Sequence, residues 1–161
     1  MSNYSRNAVE PHVIGQAFEN YVREKLFVIK DYELLDHSPT FTKRKEHFAL
    51  SALKPDFKFR DRKTNKQFYI EVKFRTQYAK SNEIKWSYEK QLSRYRSFNR
   101  ECPTFLLLGI RMNGNHTMII GLIPIEKAAY TSLFIKTIKK FQILANEPIS
   151  PDNLWSKLEP G

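Results

Sequence analysis

From Pro11 onward, apolar residues return every three or four positions: Ile14, Phe18, Val22, Leu26 and Ile29. That spacing predicts an amphipathic helix opened by a proline in its first turn and ending near Asp31. Further on the period drops to two. In Asp56-Phe57-Lys58-Phe59-Arg60, and again in Gln67-Phe68-Tyr69-Ile70-Glu71-Val72-Lys73-Phe74, polar and apolar residues alternate, as they do in a strand with one wet and one buried face. Asp61 to Lys66 form a polar turn between the two runs, so they predict an antiparallel hairpin. Trp86 to Phe98 reads as a helix with a basic outer side. Thr104 to Ile110 and Thr117 to Ile123 read as strands joined by a turn at Met112-Asn113-Gly114-Asn115, and Pro124 ends the second. Tyr32 to Asp36 reads as a short strand and Ile125 to Ala145 as a further helix. The first ten residues form a polar arm, His37 to Lys54 an irregular connection, and the Pro-containing tail after Glu147 a peripheral segment. The predicted order is α-β-β-β-α-β-β-α, an α/β domain with a mixed central sheet flanked by helices. The 161 residues fit one domain, with its core at about 11–145.

The hairpin also sorts its side chains by face. Glu71 and Lys73 lie two apart and project to one side, with Val72 on the other. Phe57 and Phe59 take the apolar side of the first strand, which puts Asp56 on the polar side with Glu71 and Lys73. Two carboxylates and an ammonium therefore converge. Carboxylate oxygens are the ligands Mg²⁺ and Mn²⁺ prefer, and a lysine nearby can orient water or steady developing negative charge. The plain alternative is that Asp56 caps its strand and Glu71 with Lys73 form a solvated same-face pair.

Pro55-Asp56, then residues 57–70, then Glu71-Val72-Lys73 resembles the signature of the PD-(D/E)xK, or restriction-endonuclease-like, nuclease superfamily. Two further features carry the resemblance. Glu19 lies in a helix before the hairpin, and Gln91-Leu92-Ser93-Arg94-Tyr95 has the Gln-x-x-x-Tyr form of the RecB-like and Holliday-junction-resolvase-like branch. The likeness spans about Gly15 to Ile123. It implies a restriction-endonuclease-like core and a divalent ion held by Asp56, Glu71 and the main-chain carbonyl of Val72, with Glu19 assisting directly or through water. It also implies Lys73 and Gln91 in the catalytic site, with Gln91 and Tyr95 near the nucleic-acid backbone.

Composition points the same way. Lys and Arg number 27 against 17 Asp and Glu, a formal charge of +10, so polyanions are the natural partners. Lys43, Arg44 and Lys45, with Lys58, Arg60, Arg75 and Arg94, are candidates for a phosphate track. A hydrophobic share of 41% excludes a disordered chain. Cys102 is the one cysteine, so neither an internal disulfide nor a cysteine-based zinc site is expected. His12, His37, His47 and His116 are scattered without ligand spacing. No apolar signal core opens the chain, and the longest apolar run, Phe105 to Ile110, is too short for a bilayer. The expectation is a cytoplasmic Mg²⁺- or Mn²⁺-dependent endonuclease acting on DNA, with RNA not excluded and no membrane partner. Alternatives are a catalytically idle nucleic-acid-binding module, a homodimeric Holliday-junction resolvase, or the nuclease subunit of a transposition or defence complex.

Overall fold

A computed structural model describes residues 10–38, 54–77, 81–112 and 118–160. The polar arm, most of the irregular connection with Lys43, Arg44 and Lys45, and the Asn-Gly turn lie outside the described residues. The elements run α1 (Pro11–Tyr21), β1 (Tyr32–His37), β2 (Phe57–Asp61), β3 (Gln67–Gln77), β4 (Glu83–Lys85), α2 (Glu89–Glu101), β5 (Thr104–Met112), β6 (Met118–Pro124), β7 (Ser132–Phe134), α3 (Ile135–Lys140), β8 (Gln142–Ile143) and α4 (Pro151–Ser156). Six strands form one mixed sheet in the order β1-β2-β3-β5-β6-β8, and β4 pairs with β7 in a separate ribbon. The protein is an α/β fold, and the expected hairpin is β2–β3, antiparallel with Phe57 opposite Ile70. Its turn contains Asn65 in the left-handed region (φ 61°), which asparagine tolerates better than most residues. β3 then pairs in parallel with β5 across the crossover through α2.

The central sheet serves two cores. Phe68, Ile70 and Val72 join Phe18, Val22, Leu26, Phe27 and Phe59 on one face. On the other side of the sheet, Leu106, Leu108 and Ile110 of β5 pack with Leu92 and Tyr95 of α2. Gly109 in β5 leaves room for the Phe18 ring, since a Cβ there would stand 2.5 Å from it. Helix α1 can thus lie close against the sheet.

Three expectations are corrected. The first helix does not continue in α-helical phase to Asp31. A π-helical turn over Val22–Leu26 follows α1, and Phe27 N–H bonds to the Val22 carbonyl at 3.0 Å. The extra residue shifts the apolar stripe, so Phe27 is buried while Ile29 is 80% exposed. Residues 125–145 are not one helix: they make a turn, β7, the six-residue α3 and β8. The alternation of Ser132, Leu133 and Phe134, with Leu133 alone buried, is a strand's period. The helix expected from Trp86 begins only at Glu89. Trp86 is fully buried, and its N–H bonds to the Thr131 carbonyl at 2.9 Å, tying it to the β7 segment.

The tail after Glu147 is likewise part of the core and not peripheral. Ile149 and Leu154 are buried, and the Tyr32 hydroxyl donates to the Ile149 carbonyl at 2.7 Å. Trp155 meets the Phe68 ring edge-on at 5.5 Å and donates its indole N–H to Asp61 at 2.8 Å. Replacing Trp155 should therefore destabilise the domain. Trp155→Phe, which keeps the ring contact and loses the hydrogen bond, should cost about 1 kcal/mol. Trp155→Ala should cost roughly 2–4 kcal/mol, somewhat below the usual loss for a fully buried aromatic. Urea unfolding measures both, and a Trp155→Ala variant within about 0.5 kcal/mol of the parent would return the tail to the periphery.

Candidate active site

The β2–β3 ladder ends at Phe57 and Ile70. Extending that register by one residue brings Asp56 beside Glu71. Asp56 does not continue the strand. Its Oδ2 accepts the Val72 N–H at 2.8 Å, in the place where the next strand's carbonyl would stand. A strand residue sends its N–H and C=O to the same edge, so the Val72 carbonyl emerges on Asp56's side. β3 runs on to Gln77, past the end of β2. Among the described residues, this edge beyond Asp56 has no strand partner, and with the start of α1 it borders an open cleft of about 650 Å³. Asp56, Glu71, Val72 and Lys73 line one side, and His12, Gln16 and Glu19 line the other.

Both carboxylates are buried, Asp56 at 3% and Glu71 at 5% exposure. Burial pushes the Glu71 carboxyl well above the usual carboxylate range, and the Asp56 charge adds to the effect. The Lys73 ammonium, 3.8 Å from Glu71 Oε1, pulls the other way without cancelling it. Glu71 is hydrogen-bonded to both Asp56 and Tyr95. The bond to Asp56 favours the neutral form of Glu71. The bond from Tyr95 favours the charged form, because burial and the Glu71 charge keep the phenol protonated as a donor. Tyr95 is in turn stacked on Trp86 at 5.9 Å.

The other expected residues divide. Glu19 lines the cleft but stands on the opposite wall. Among the described residues no three His, Cys, Asp or Glu side chains form a group that could hold a metal. The Asp56–Glu71 pair and the Val72 carbonyl therefore make up the available donor set. It is all oxygen, and with waters completing the shell it suits Mg²⁺ or Mn²⁺. Gln91 sits in the first turn of α2, where its Oε1 accepts the Tyr88 N–H at 3.1 Å and caps the helix, and it is absent from the cleft lining. Tyr95, one turn later on the same helix face, is what α2 brings to Glu71.

Arg75 lines the cleft, yet its guanidinium donates to the carbonyls of Phe74, Lys85 and Trp86. It fastens β4 to β3. Lys58 pairs with Glu101 at 3.2 Å and Arg60 with Glu33 at 2.8 Å. Arg94 is half-buried, with its Nε lacking a hydrogen-bond partner. Of the candidate cations on the hairpin, Lys58 and Arg60 thus pair with neighbouring acids. His12, read in the sequence as one of four scattered histidines, and Gln16, which was given no role, both line the cleft. Their spacing with Glu19, i, i+4 and i+7, marks one polar helix face, and that was the signal that could have found them.

Compared with models of known families and with curated proteins, the sequence matches none. The account of the site rests on its own geometry.

The buried pair makes a prediction for the metal-free protein. The folded-state Glu71 carboxyl titrates above its ordinary 4.5. It therefore contributes stability at low pH that is lost as pH rises from about 4.5 through the raised value. Glu71→Gln keeps a neutral donor to Asp56 and removes that loss. In EDTA, its melting temperature relative to the parent should climb as pH rises from 4.5 to 8, by roughly 2–4 °C for each kcal/mol recovered. A difference that stays flat or falls with pH would mean that Glu71 is not strained by burial beside Asp56.

Proposed function

We propose that the protein is a metal-dependent nuclease of the PD-(D/E)xK type that hydrolyses phosphodiester bonds of DNA with Mg²⁺ or Mn²⁺. The observation that carries this reading is the buried Asp56–Glu71 pair at the mouth of an open cleft, with Lys73 3.8 Å from Glu71. A solvated surface pair would be exposed, and this one is not. Two carboxyls held together out of water weaken the empty fold, and an incoming cation would relieve that cost beyond what Lys73 does. The order helix, hairpin, helix and parallel strand also agrees with a restriction-endonuclease-like core.

Asp56, Glu71 and the Val72 carbonyl would hold the ion. Bound there, it supplies Lewis acidity toward a phosphoryl oxygen and lowers the pKa of a water ligand. Taking up the cation requires the Glu71 carboxyl, raised by burial, to be ionised, so affinity rises with pH. Tyr95 fixes the Glu71 carboxylate through its hydroxyl and acts as a positioning residue. Lys73 stands beside the pair with the wrong charge to hold a cation. Its use lies in orienting the attacking water or steadying charge that grows on the phosphoryl oxygens. Glu19, His12 and Gln16 face the substrate from the α1 wall. The chain's charge of +10 favours a polyanionic partner.

Lys73→Met tests the division of labour between chemistry and metal binding. An interaction made only in the transition state lowers the barrier without tightening the ground state. Single-turnover cleavage should fall by about 10²–10³-fold. Mn²⁺ affinity by calorimetry should hold or improve, because a nearby positive charge is gone. Cleavage at the parent rate would remove Lys73 from the mechanism, and loss of Mn²⁺ binding would make it a structural support for the site.

A further inference from the structure

The β4–β7 ribbon lies beside the cleft and has no part in the chemistry above. Glu83 pairs with Phe134, Ile84 with Leu133 and Lys85 with Ser132. Ile84 and Leu133 point inward and are buried with Trp86 against the core under α2. The alternate residues Phe134, Glu83 and Lys85 therefore point outward. Phe134 is 57% exposed, and Tyr88, just after β4, is 67% exposed. The Lys85 ammonium lies 4.6 Å from the centre of the Tyr88 ring.

The ribbon is joined to the cleft through two rigid links. Arg75, which lines the cleft, donates to the Lys85 and Trp86 carbonyls at 3.0 Å each. Tyr95, hydrogen-bonded to Glu71, stacks on Trp86 at 5.9 Å. Two exposed aromatic rings are thus held on a rigid mount next to a cleft suited to a phosphodiester. A chain of +10 draws a polyanion toward that cleft. Glu83 on the same face disfavours a phosphate track there, whereas bases offer π-faces of their own and stack on aromatic rings whatever their sequence.

We propose that the outer face of the β4–β7 ribbon, with Phe134, Tyr88 and Lys85, is a stacking site for unpaired DNA bases. The strand that enters the cleft is then single-stranded or frayed where it is held, and not intact duplex. The proposal deepens the nuclease reading and rests on it for the direction in which the strand runs.

The test is fluorescence anisotropy with a labelled oligothymidylate and a labelled blunt duplex, both in EDTA so that nothing is cut. The parent binds the single strand more tightly than the duplex. Tyr88→Ala and Phe134→Ala each weaken single-strand binding by about 5–100-fold, since a stacked base contributes that much, and leave duplex binding unchanged. Tyr88→Trp and Phe134→Trp retain it. Both positions are exposed, so equal melting temperatures verify folding of each variant. A double alanine variant that binds the oligothymidylate as the parent does overturns the proposal. So does equal loss on both ligands, or a parent that does not prefer the single strand. Cleavage by the parent, assayed separately with Mg²⁺, distinguishes the two claims. Aromatic-dependent binding without cleavage keeps the stacking site and removes the nuclease, and cleavage without aromatic dependence does the reverse.

Discussion

The hydrogen bond from the Val72 amide to Asp56 organises this molecule. It ends the β2–β3 ladder with a carboxylate in place of a strand carbonyl. Three consequences follow from that one substitution. The Val72 amide, buried and otherwise without a strand partner on that edge, is satisfied. Asp56 is fixed beside Glu71, although burial and like charge oppose the pairing. Among the described residues, the edge of β3 beyond this point has no strand partner and forms one side of the cleft. A strand pair of ordinary length would have closed it.

The rest of the fold holds that edge rigid from both sides. Below it, Phe18 packs into the space left by Gly109 and sets α1 as the opposite wall. Above it, α2 delivers Tyr95 to Glu71, and Trp86, just after β4, stacks on the ring of Tyr95. Trp155 and Ile149 close the aromatic cluster around Phe68 and Tyr32. Among the described elements no helix is long and apolar enough to cross a membrane.

Where one face of an element is buried and the other wet, the sequence was legible. The hairpin and the convergence of Asp56, Glu71 and Lys73 follow from period-two alternation, whereas β5 and β6, buried on both faces, were legible as continuous apolar runs. Legibility failed where long-range packing overrides local pattern. A π-helical turn shifted the first helix by one residue, so that Phe27 replaced Ile29 in the core. β4 and β7 are only three residues each and depend on each other for hydrogen bonds, which no local window contains. Within the site, residue type could not reveal that Gln91 is spent on a helix cap, that Lys58, Arg60 and Arg75 already have partners, or that α1 turns His12 and Gln16 toward the cleft. Apart from the local Tyr88–Gln91 cap, these depend on neighbours further along the chain.

The proposed nuclease activity requires that Asp56 and Glu71 serve a divalent ion in cutting DNA. Asp56→Asn is the sharpest variant, because the amide oxygen can still accept the Val72 N–H while the charge is gone. Labelled linear, nicked, branched and single-stranded DNA should be incubated with parent and variant in Mg²⁺, in Mn²⁺ and in EDTA. The parent is predicted to cut at least one of these with Mg²⁺ or Mn²⁺ and none in EDTA, and the folded variant to cut none. Cleavage that survives in EDTA or in folded Asp56→Asn, or a parent that cuts nothing with either ion, would contradict it.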